Sequence, residues 1–242
     1  WAVIAATSSS VPPVALALRL AYIAVLYMPV PLYTLLLSRF MLGIPVPFRV
    51  LLSLKHITVK KYALVAGLFL AWAVLMIGSV AVLGLLWPET FGHLATTNEH
   101  LVYNLEKLIG ASVDTSAMNM PPTPLAMLPL GIFGALMAGL TVNAIFAMTE
   151  EIMWRGYLAQ AFAGLSFCKK YVTIGVLWGL WHIPLIALGY NYGTANALPG
   201  SVLFVGFCVV MSLVLGFVVE RTRSVWLAAV LHGTFNGFSQ VM

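Results

Sequence analysis

The amino-acid sequence predicts an all-α protein, a polytopic transmembrane bundle of about 7–8 helices. Of its 242 residues, 62% are hydrophobic and only 8% are charged, and the mean hydropathy is +1.00. A soluble domain usually carries about 25% charged residues, so this composition excludes a soluble protein. Apolar runs of about 20 residues are the second observation, because each is long enough to cross a lipid bilayer. We expect one transmembrane domain over residues 1–242.

Six apolar runs are the candidate spans, and we expect a membrane-spanning helix in each. They are Val14–Ser38, Tyr62–Trp87, Met127–Met148, Tyr171–Leu188, Ser201–Val219 and Val225–Val241. The first run contains Arg19, Pro29 and Pro31, so it is expected to be kinked or split in two. Ile152–Phe167 is a further helical stretch, short and polar at its start, and we expect it to be re-entrant or interfacial.

Basic residues predict which side of the membrane each connection occupies, because cytoplasmic loops are enriched in Lys and Arg. The basic groups lie at residues 39–61, 169–170 and 221–223. The connection Pro88–Ala126 is mainly acidic and the link Gly189–Gly200 is uncharged, so both are expected on the opposite side. This alternation requires that Ile152–Phe167 enters and leaves the membrane from the cytoplasmic face.

The remaining connections and the cysteines carry weaker signals. The spacing of apolar residues in Glu99–Leu108 predicts a helix, which we expect to lie on the membrane surface; the alternative is a lid over a substrate path. Cys168 and Cys208 are expected to be packing residues, because neither a disulfide framework nor a CxxC site is available. The net charge of +5 fits cytoplasmic loops better than it fits nucleic-acid binding.

Two adjacent carboxylates, Glu150 and Glu151, directly follow an apolar run in a chain with only seven acidic residues. A charged side chain at the centre of a membrane helix costs roughly 2.5–3.5 kcal/mol, so such residues usually face the bundle interior and have a function. Arg155 lies four residues after Glu151, and on a helix these two can pair. Glu150 then remains free. An apolar pocket raises the proton affinity of a carboxylate, which suits a general base. The alternative is an ion-pair cluster that closes a helix end.

Polar residues inside two other spans are the second group of candidates. His182 lies in the fourth span, where Pro184 leaves a backbone carbonyl unpaired and is expected to bend the helix. His232 and Asn236 lie four residues apart in the last span, so they share a helix face and could both donate to an oxyanion. Taken singly, each could be a hydrogen-bonding residue between helices. Together with Glu150 they bring polar groups from three helices to a similar depth, between the cytoplasmic face and the midplane.

In chain order, the motifs Glu-Glu-x-x-x-Arg, Trp-x-x-x-His and His-x-x-x-Asn resemble those of the CAAX protease and bacteriocin-processing family. This family includes the type II CAAX prenyl endopeptidase, an intramembrane glutamate protease. The motifs lie within residues 149–236, and Trp178 stands where the family often has Phe. The resemblance implies an endopeptidase that removes the C-terminal tripeptide of prenylated proteins. The implied catalytic residues are Glu150, His182, His232 and Asn236, supported by Glu151 and Arg155.

The resemblance also implies how these residues act. Glu150 would activate a water with help from His182, and His232 with Asn236 would stabilise the oxyanion. Trp178 and Trp181 are candidate substrate-binding residues. The implied substrate is a prenylated CAAX peptide or another membrane peptide. The implied location is the plasma membrane of a prokaryote or the endoplasmic reticulum of a eukaryote, with the active site toward the cytosol.

Three alternatives stay open. We expect no cofactor, but zinc is possible because two glutamates and two histidines could supply its ligands. Against zinc, the sequence has no HExxH motif, and adjacent glutamates on one helix point in different directions. A non-enzymatic membrane scaffold or bacteriocin-immunity protein would keep the same helices. A transporter would also place ionisable groups at mid-membrane, but the chain shows no repeated halves.

Overall fold

The computed structural model describes residues 22–55, 57–109, 112 and 123–239. The eight longest helices of these ranges are α1 (Val30–Met41), α2 (Val59–Leu86), α3 (Asn98–Ile109), α4 (Leu128–Leu140), α5 (Val142–Glu151), α6 (Phe167–Ala187), α7 (Ala197–Thr222) and α8 (Val225–Phe238). Shorter pieces are the π-helical turns Ile23–Tyr27 and Ile152–Leu158, the 3-10 turns Pro124–Met127 and Thr194–Asn196, and the α-helical segments Phe48–Leu51, Pro88–Phe91 and Ala159–Ala161. No strand occurs among these residues, and the predicted all-α class is confirmed.

Three helices in the described ranges are long and apolar enough to cross a membrane. They are α2, α6 and the stretch Thr194–Thr222 that contains α7. The pair Pro124–Leu140 and Val142–Ala161 makes a fourth if it counts as one bent span. The second, fourth and fifth predicted spans are therefore confirmed, and the chain is an integral membrane protein.

The third predicted span, Met127–Met148, is wrong as a single straight helix. α4 and α5 meet at Thr141, and the bend between them is 55°. The Thr141 hydroxyl donates to the carbonyl of Met137 at 2.7 Å, whereas its backbone N–H donates to Ala138 at 3.1 Å. The side chain thus binds the carbonyl that the backbone N–H of Thr141 would bind in a regular α-helix, and such bonding bends helices. Hydropathy alone does not indicate this bend.

The stretch Ile152–Phe167 is also not a separate helix, which corrects the prediction. α5 continues without a break through the π-helical turn Ile152–Leu158 into Ala159–Ala161. π-helical turns are rare and occur frequently at functional sites. Glu150 and Glu151 are therefore the last two residues of α5, inside a longer helical stretch that continues through the π-helical turn.

The first predicted span, Val14–Ser38, lies partly outside the described residues, as does Arg19. In its described part, Met28 and Pro29 separate the π-helical turn Ile23–Tyr27 from α1. Proline has no N–H to donate, so the helical ladder is interrupted there. The expected split at proline is confirmed. With 12 residues, α1 is about 18 Å long and too short to cross a bilayer alone.

α8 lies inside the bundle. Most of its 14 residues are buried, among them His232. Its length of about 21 Å is less than the roughly 30 Å of a bilayer core, so the described part of the predicted span Val225–Val241 is too short to cross a bilayer alone. A side chain at Gly233 would place its Cβ 2.7–2.9 Å from backbone atoms of Asn143 and Ala144. This close approach joins α8 to α5 and holds His232 in the interior.

Glycines also bring α6 and α7 together. A Cβ at Gly175 would lie 2.6 Å from the Cα of Val209, and one at Gly179 would lie 2.7 Å from the Cα of Val205. Small residues permit such close packing between membrane helices. The two glycines thus join α6 to α7 within this chain.

The predicted helix Glu99–Leu108 is confirmed as α3. It is tied to the preceding link through Asn104, whose side chain donates to the carbonyl of His93 at 2.7 Å and accepts from its N–H at 2.8 Å. The rings of His93 and His100 stack with their centroids 4.6 Å apart. His56 lies outside the described residues.

Candidate active site

Glu150 and Glu151 are both buried, with 4% and 0% of their surface exposed. They lie at the end of α5, where the chain passes into the π-helical turn. Burying a carboxylate is unfavourable unless other groups bind or compensate it. The partners of the two carboxylates therefore define the site.

The predicted ion pair between Glu151 and Arg155 is present. Nη1 of Arg155 donates to Oε1 of Glu151 at 2.9 Å, and neither side chain is exposed. The same oxygen lies 2.8 Å from Nδ1 of His232. A carboxylate only accepts hydrogen bonds, so we assign a proton to this nitrogen. Glu151 thus connects α5 to α8.

Glu150 is held by a different helix. Nε1 of Trp178, on α6, donates to Oε2 of Glu150 at 2.8 Å. Within the described part of the chain, no hydrogen bond reaches the other oxygen, Oε1. Glu150 is therefore oriented through one oxygen and has the other free.

Trp178 lies at the centre of the cluster and is only 3% exposed. The guanidinium carbon of Arg155 stands 4.3 Å from its ring centroid, an arrangement that attracts a cation to an aromatic face. The rings of His182 and His232 meet it edge-on, with centroids at 5.9 Å and 5.2 Å. Trp178 thus brings together polar side chains from α5, α6 and α8.

His182 lies one turn after Trp178 on α6 and is 6% exposed. Its Nδ1 is 3.0 Å from the carbonyl oxygen of Trp178. A carbonyl accepts, so in the neutral ring Nδ1 carries the proton and Nε2 has a free lone pair. The rings of Trp181 and Phe204 pack against the imidazole, with centroids at 4.5 Å and 4.8 Å. His182 therefore offers a proton acceptor among aromatic rings.

Asn236 lies one turn after His232 on α8, but it is exposed whereas His232 is buried. In the described ranges its carboxamide makes no hydrogen bond. The face that these two residues share therefore leads from the interior to the outside of the protein.

The position of the site along α6 conflicts with its expected depth. His182 lies fifteen residues after Phe167 and five before Ala187, so it is nearer the end that leads into the uncharged link. In that link, the ring of Tyr192 meets Phe204 at 6.5 Å, and Phe204 packs against His182 at 4.8 Å. The site therefore lies close to this link. The two expectations, a link outside and a site in the cytoplasmic half, are mutually inconsistent.

Sequence reasoning missed two aromatic residues that border the site. The hydroxyl of Tyr27 donates to the carbonyl of Trp181 at 2.5 Å, and their rings stack at 5.1 Å. Phe204 reaches His182 from α7. An aromatic residue in an apolar run carries no signal of what it will contact, so neither could be found before the fold was known.

Two of the carboxylate oxygens that could ligate a metal ion already have protein partners. Oε1 of Glu151 binds Arg155 and His232, and Oε2 of Glu150 binds Trp178. Across the described ranges, no three His, Cys, Asp or Glu side chains are grouped as metal ligands. The contacts seen at these side chains are those of hydrogen-bonding and ion-pairing groups.

Comparisons with known proteins identify the same part of the chain. Residues 131–238 match the family model described as type II CAAX prenyl endopeptidase Rce1-like. CAAX prenyl protease 2 of Methanococcus maripaludis is 28% identical over 95 residues, which are 37% of this chain and only 35% of that protein's length. No solved structure matches. The predicted resemblance to the CAAX protease family is confirmed over residues 131–238, which carry all three motifs and match the type II CAAX prenyl endopeptidase model.

Proposed function

We propose that the protein is an intramembrane endopeptidase of the glutamate type that removes the C-terminal tripeptide of prenylated CAAX proteins. The observation that carries this proposal is the placement of Glu150 and His182 around Trp178, each with one free proton-accepting atom. The family match and the CAAX prenyl protease relative support this substrate class. A protein embedded in the bilayer is suited to a substrate that carries a lipid chain.

In the proposed reaction, one water donates its hydrogens to Oε1 of Glu150 and Nε2 of His182. Its oxygen attacks the carbonyl carbon of the scissile peptide bond while Glu150 takes a proton as general base. The tetrahedral intermediate collapses when the C–N bond breaks, and the proton passes from Glu150 to the leaving amine. Water is consumed, and a carboxylic acid and a free amine are formed.

His232 and Asn236 are the proposed donors to the oxyanion. Because Nδ1 of His232 already faces Glu151, its Nε2 can donate only when the ring is an imidazolium. That positive charge would also compensate the second buried carboxylate, because Arg155 balances only one of the two. Asn236 supplies a neutral donor from the exposed end of the same face. Donors preorganised toward developing charge are often the largest single contribution to catalysis.

The aromatic border of the site supports an apolar substrate group. Tyr27, Trp181 and Phe204 are half-buried rather than enclosed, so their rings can line a path for a prenyl chain. We place the site toward the cytosol, in the plasma membrane of a prokaryote or the endoplasmic reticulum of a eukaryote, because the family resemblance implies cytosolic substrates.

The test is hydrolysis of a farnesylated CAAX peptide by the purified protein, with the released tripeptide detected by mass spectrometry. Glu150→Ala and His182→Ala should each lower kcat by about 10²–10⁴, the usual contribution of a general base or acid. His100→Ala is the matched control, since this histidine lies on α3 and stacks on His93 rather than on Trp178. Equal behaviour of wild type and both site variants would contradict a protease and favour the scaffold or immunity alternative.

Exhaustive chelation separates the proposed mechanism from zinc hydrolysis. Activity should survive chelation, because Glu150 and His182 are proposed to activate the water directly. Loss of activity that only added zinc restores would overturn the metal-free mechanism and leave the protease assignment intact.

A further inference from the structure

We propose that Trp178 is a positioning residue that orients both proton acceptors of the site, Glu150 through its indole and His182 through its backbone carbonyl. The proposal deepens the proposed protease function and rests on it. A substrate-binding role for Trp178 is less compatible with a side chain that is 3% exposed.

The first step is the indole hydrogen bond. The terminal torsion of a glutamate is broad, so a carboxylate held only by its chain does not point in one direction. Nε1 of Trp178 donates to Oε2 of Glu150 at 2.8 Å. A hydrogen bond to an ionised carboxylate is stronger than one between neutral groups. Anchoring Oε2 fixes the place of Oε1, the oxygen that is to accept from water.

The second step is the backbone of the same residue. The carbonyl of Trp178 lies 3.0 Å from Nδ1 of His182. A partner that accepts a hydrogen bond from one imidazole nitrogen determines which nitrogen remains the acceptor. Trp178 therefore sets the tautomer of the neutral His182 ring and the direction of its Nε2. One residue on α6 thus fixes acceptor atoms that come from α5 and α6.

The third step is the restraint on the indole itself. Arg155 covers its face at 4.3 Å and is held in turn by Glu151 at 2.9 Å. His232 meets the ring edge-on at 5.2 Å. These neighbours keep the ring plane fixed, so its N–H is directed at Glu150. Errors of about 1 Å in the placement of reacting groups can cost roughly 100-fold in rate.

Trp178→Phe is the direct test, because phenylalanine keeps an aromatic ring but has no N–H. We expect kcat on a farnesylated CAAX peptide to fall about 10- to 100-fold, the loss of one hydrogen bond to a charged group. KM should change by less than about threefold, since Trp178 orients the base and does not bind substrate. Replacing Trp178 by benzothienylalanine, which keeps the bicyclic shape and exchanges N–H for sulfur, gives the same comparison if the phenylalanine variant folds poorly.

Trp154→Phe is the matched control. Trp154 is 8% exposed, and its Nε1 has no hydrogen-bond partner in the described part of the chain. Removing this N–H should leave kcat within about threefold of wild type, because no hydrogen bond is lost. An equal fall of kcat in both variants would overturn the proposal, since a general packing defect would then explain both.

A thermal cycle tests the contact without any substrate. In detergent micelles, Trp178→Phe should lower Tm in the wild-type protein but have little further effect in a Glu150→Ala background. Additive Tm shifts, or an unchanged kcat in Trp178→Phe, would overturn the proposal. If the wild type cleaves no prenylated peptide, the proposed function fails, and this cycle still decides whether Trp178 holds Glu150.

Discussion

At the residue scale, the buried site contains two acidic side chains, Glu150 and Glu151, and one arginine. Among the residues that the structure describes, Arg155 is the one permanent cation in contact with this site, and it is itself buried at 1% exposure. Two of its nitrogens, Nε and Nη2, have no hydrogen-bond partner in the described ranges. Its interactions are therefore concentrated on the Glu151 carboxylate and the face of Trp178. His232 is the other described partner of that carboxylate, with its Nδ1 2.8 Å from Oε1 of Glu151.

Removal of Arg155 should be costly for stability. Arg155→Leu leaves the buried Glu151 with only His232 as a partner, and breaking a buried ion pair typically costs about 3–5 kcal/mol. The measurement is the free energy of unfolding in detergent micelles. Lys170→Leu is the matched control, because it breaks the pair with Glu220, whose side chain is 46% exposed.

The control should lose less, about 1 kcal/mol, because water reaches both side chains of this pair, which are 12% and 46% exposed. If the two leucine variants were equally stable, the Glu151–Arg155 pair would not be a structural requirement of the site.

At the scale of elements, the site depends on helices that approach each other closely. Glycines let α6 contact the backbone of α7, and Gly233 does the same for α8 against α5. Packing rather than hydrophobicity drives such association, because lipid tails are as apolar as the side chains themselves. The positions of Trp178 and His232 therefore depend on small residues elsewhere on the same helices.

Gly179→Ala should destabilise the protein by about 1–3 kcal/mol, the usual cost of overpacking. The added Cβ would lie 2.7 Å from the Cα of Val205, and backbone cannot move aside as a flexible side chain does. Gly206→Ala on α7 is the control, because nothing lies within 4 Å of its added Cβ.

In the control, alanine should be neutral or stabilising by about 0.5–1 kcal/mol, since glycine weakens helices. Thermal unfolding of both variants checks this pair. Equal Tm values would show that α6 and α7 are not in the close contact described.

At the scale of the whole molecule, α6 links two regions that we expect on opposite sides of the membrane. Its 21 residues span about 31 Å, close to the roughly 30 Å of a bilayer core. Cys168 lies exposed near its start, beside Lys169 and Lys170, whereas the link that follows its end lies near the site. The side of the membrane at which α6 ends is therefore also the side to which the site lies nearer.

Membrane-impermeant maleimide labelling should show the two ends of α6 on opposite sides. Native Cys168 reports one end, and Ala195→Cys in a Cys168→Ser background reports the other. Cys208 is fully buried and should not react. Labelling of both positions from the same side would contradict α6 as a span.

The same labelling tests the orientation of the site. If the site faces the cytosol, Ala195→Cys should react from the cytosol. If the basic pair Lys169–Lys170 marks the cytosolic side, Cys168 should react from there instead. Reaction of Ala195→Cys only from the outside would overturn the cytosolic orientation.

The sequence by itself determined the fold class, three spanning helices and the pairing of Glu151 with Arg155. These features are local, because hydropathy and the spacing of four residues act within one helix. Only the tertiary structure decided that Thr141 bends the third run, that α8 lies inside, and that Trp178 binds Glu150. Such contacts join residues distant in sequence, and they exist only once helices pack, so no local pattern encodes them.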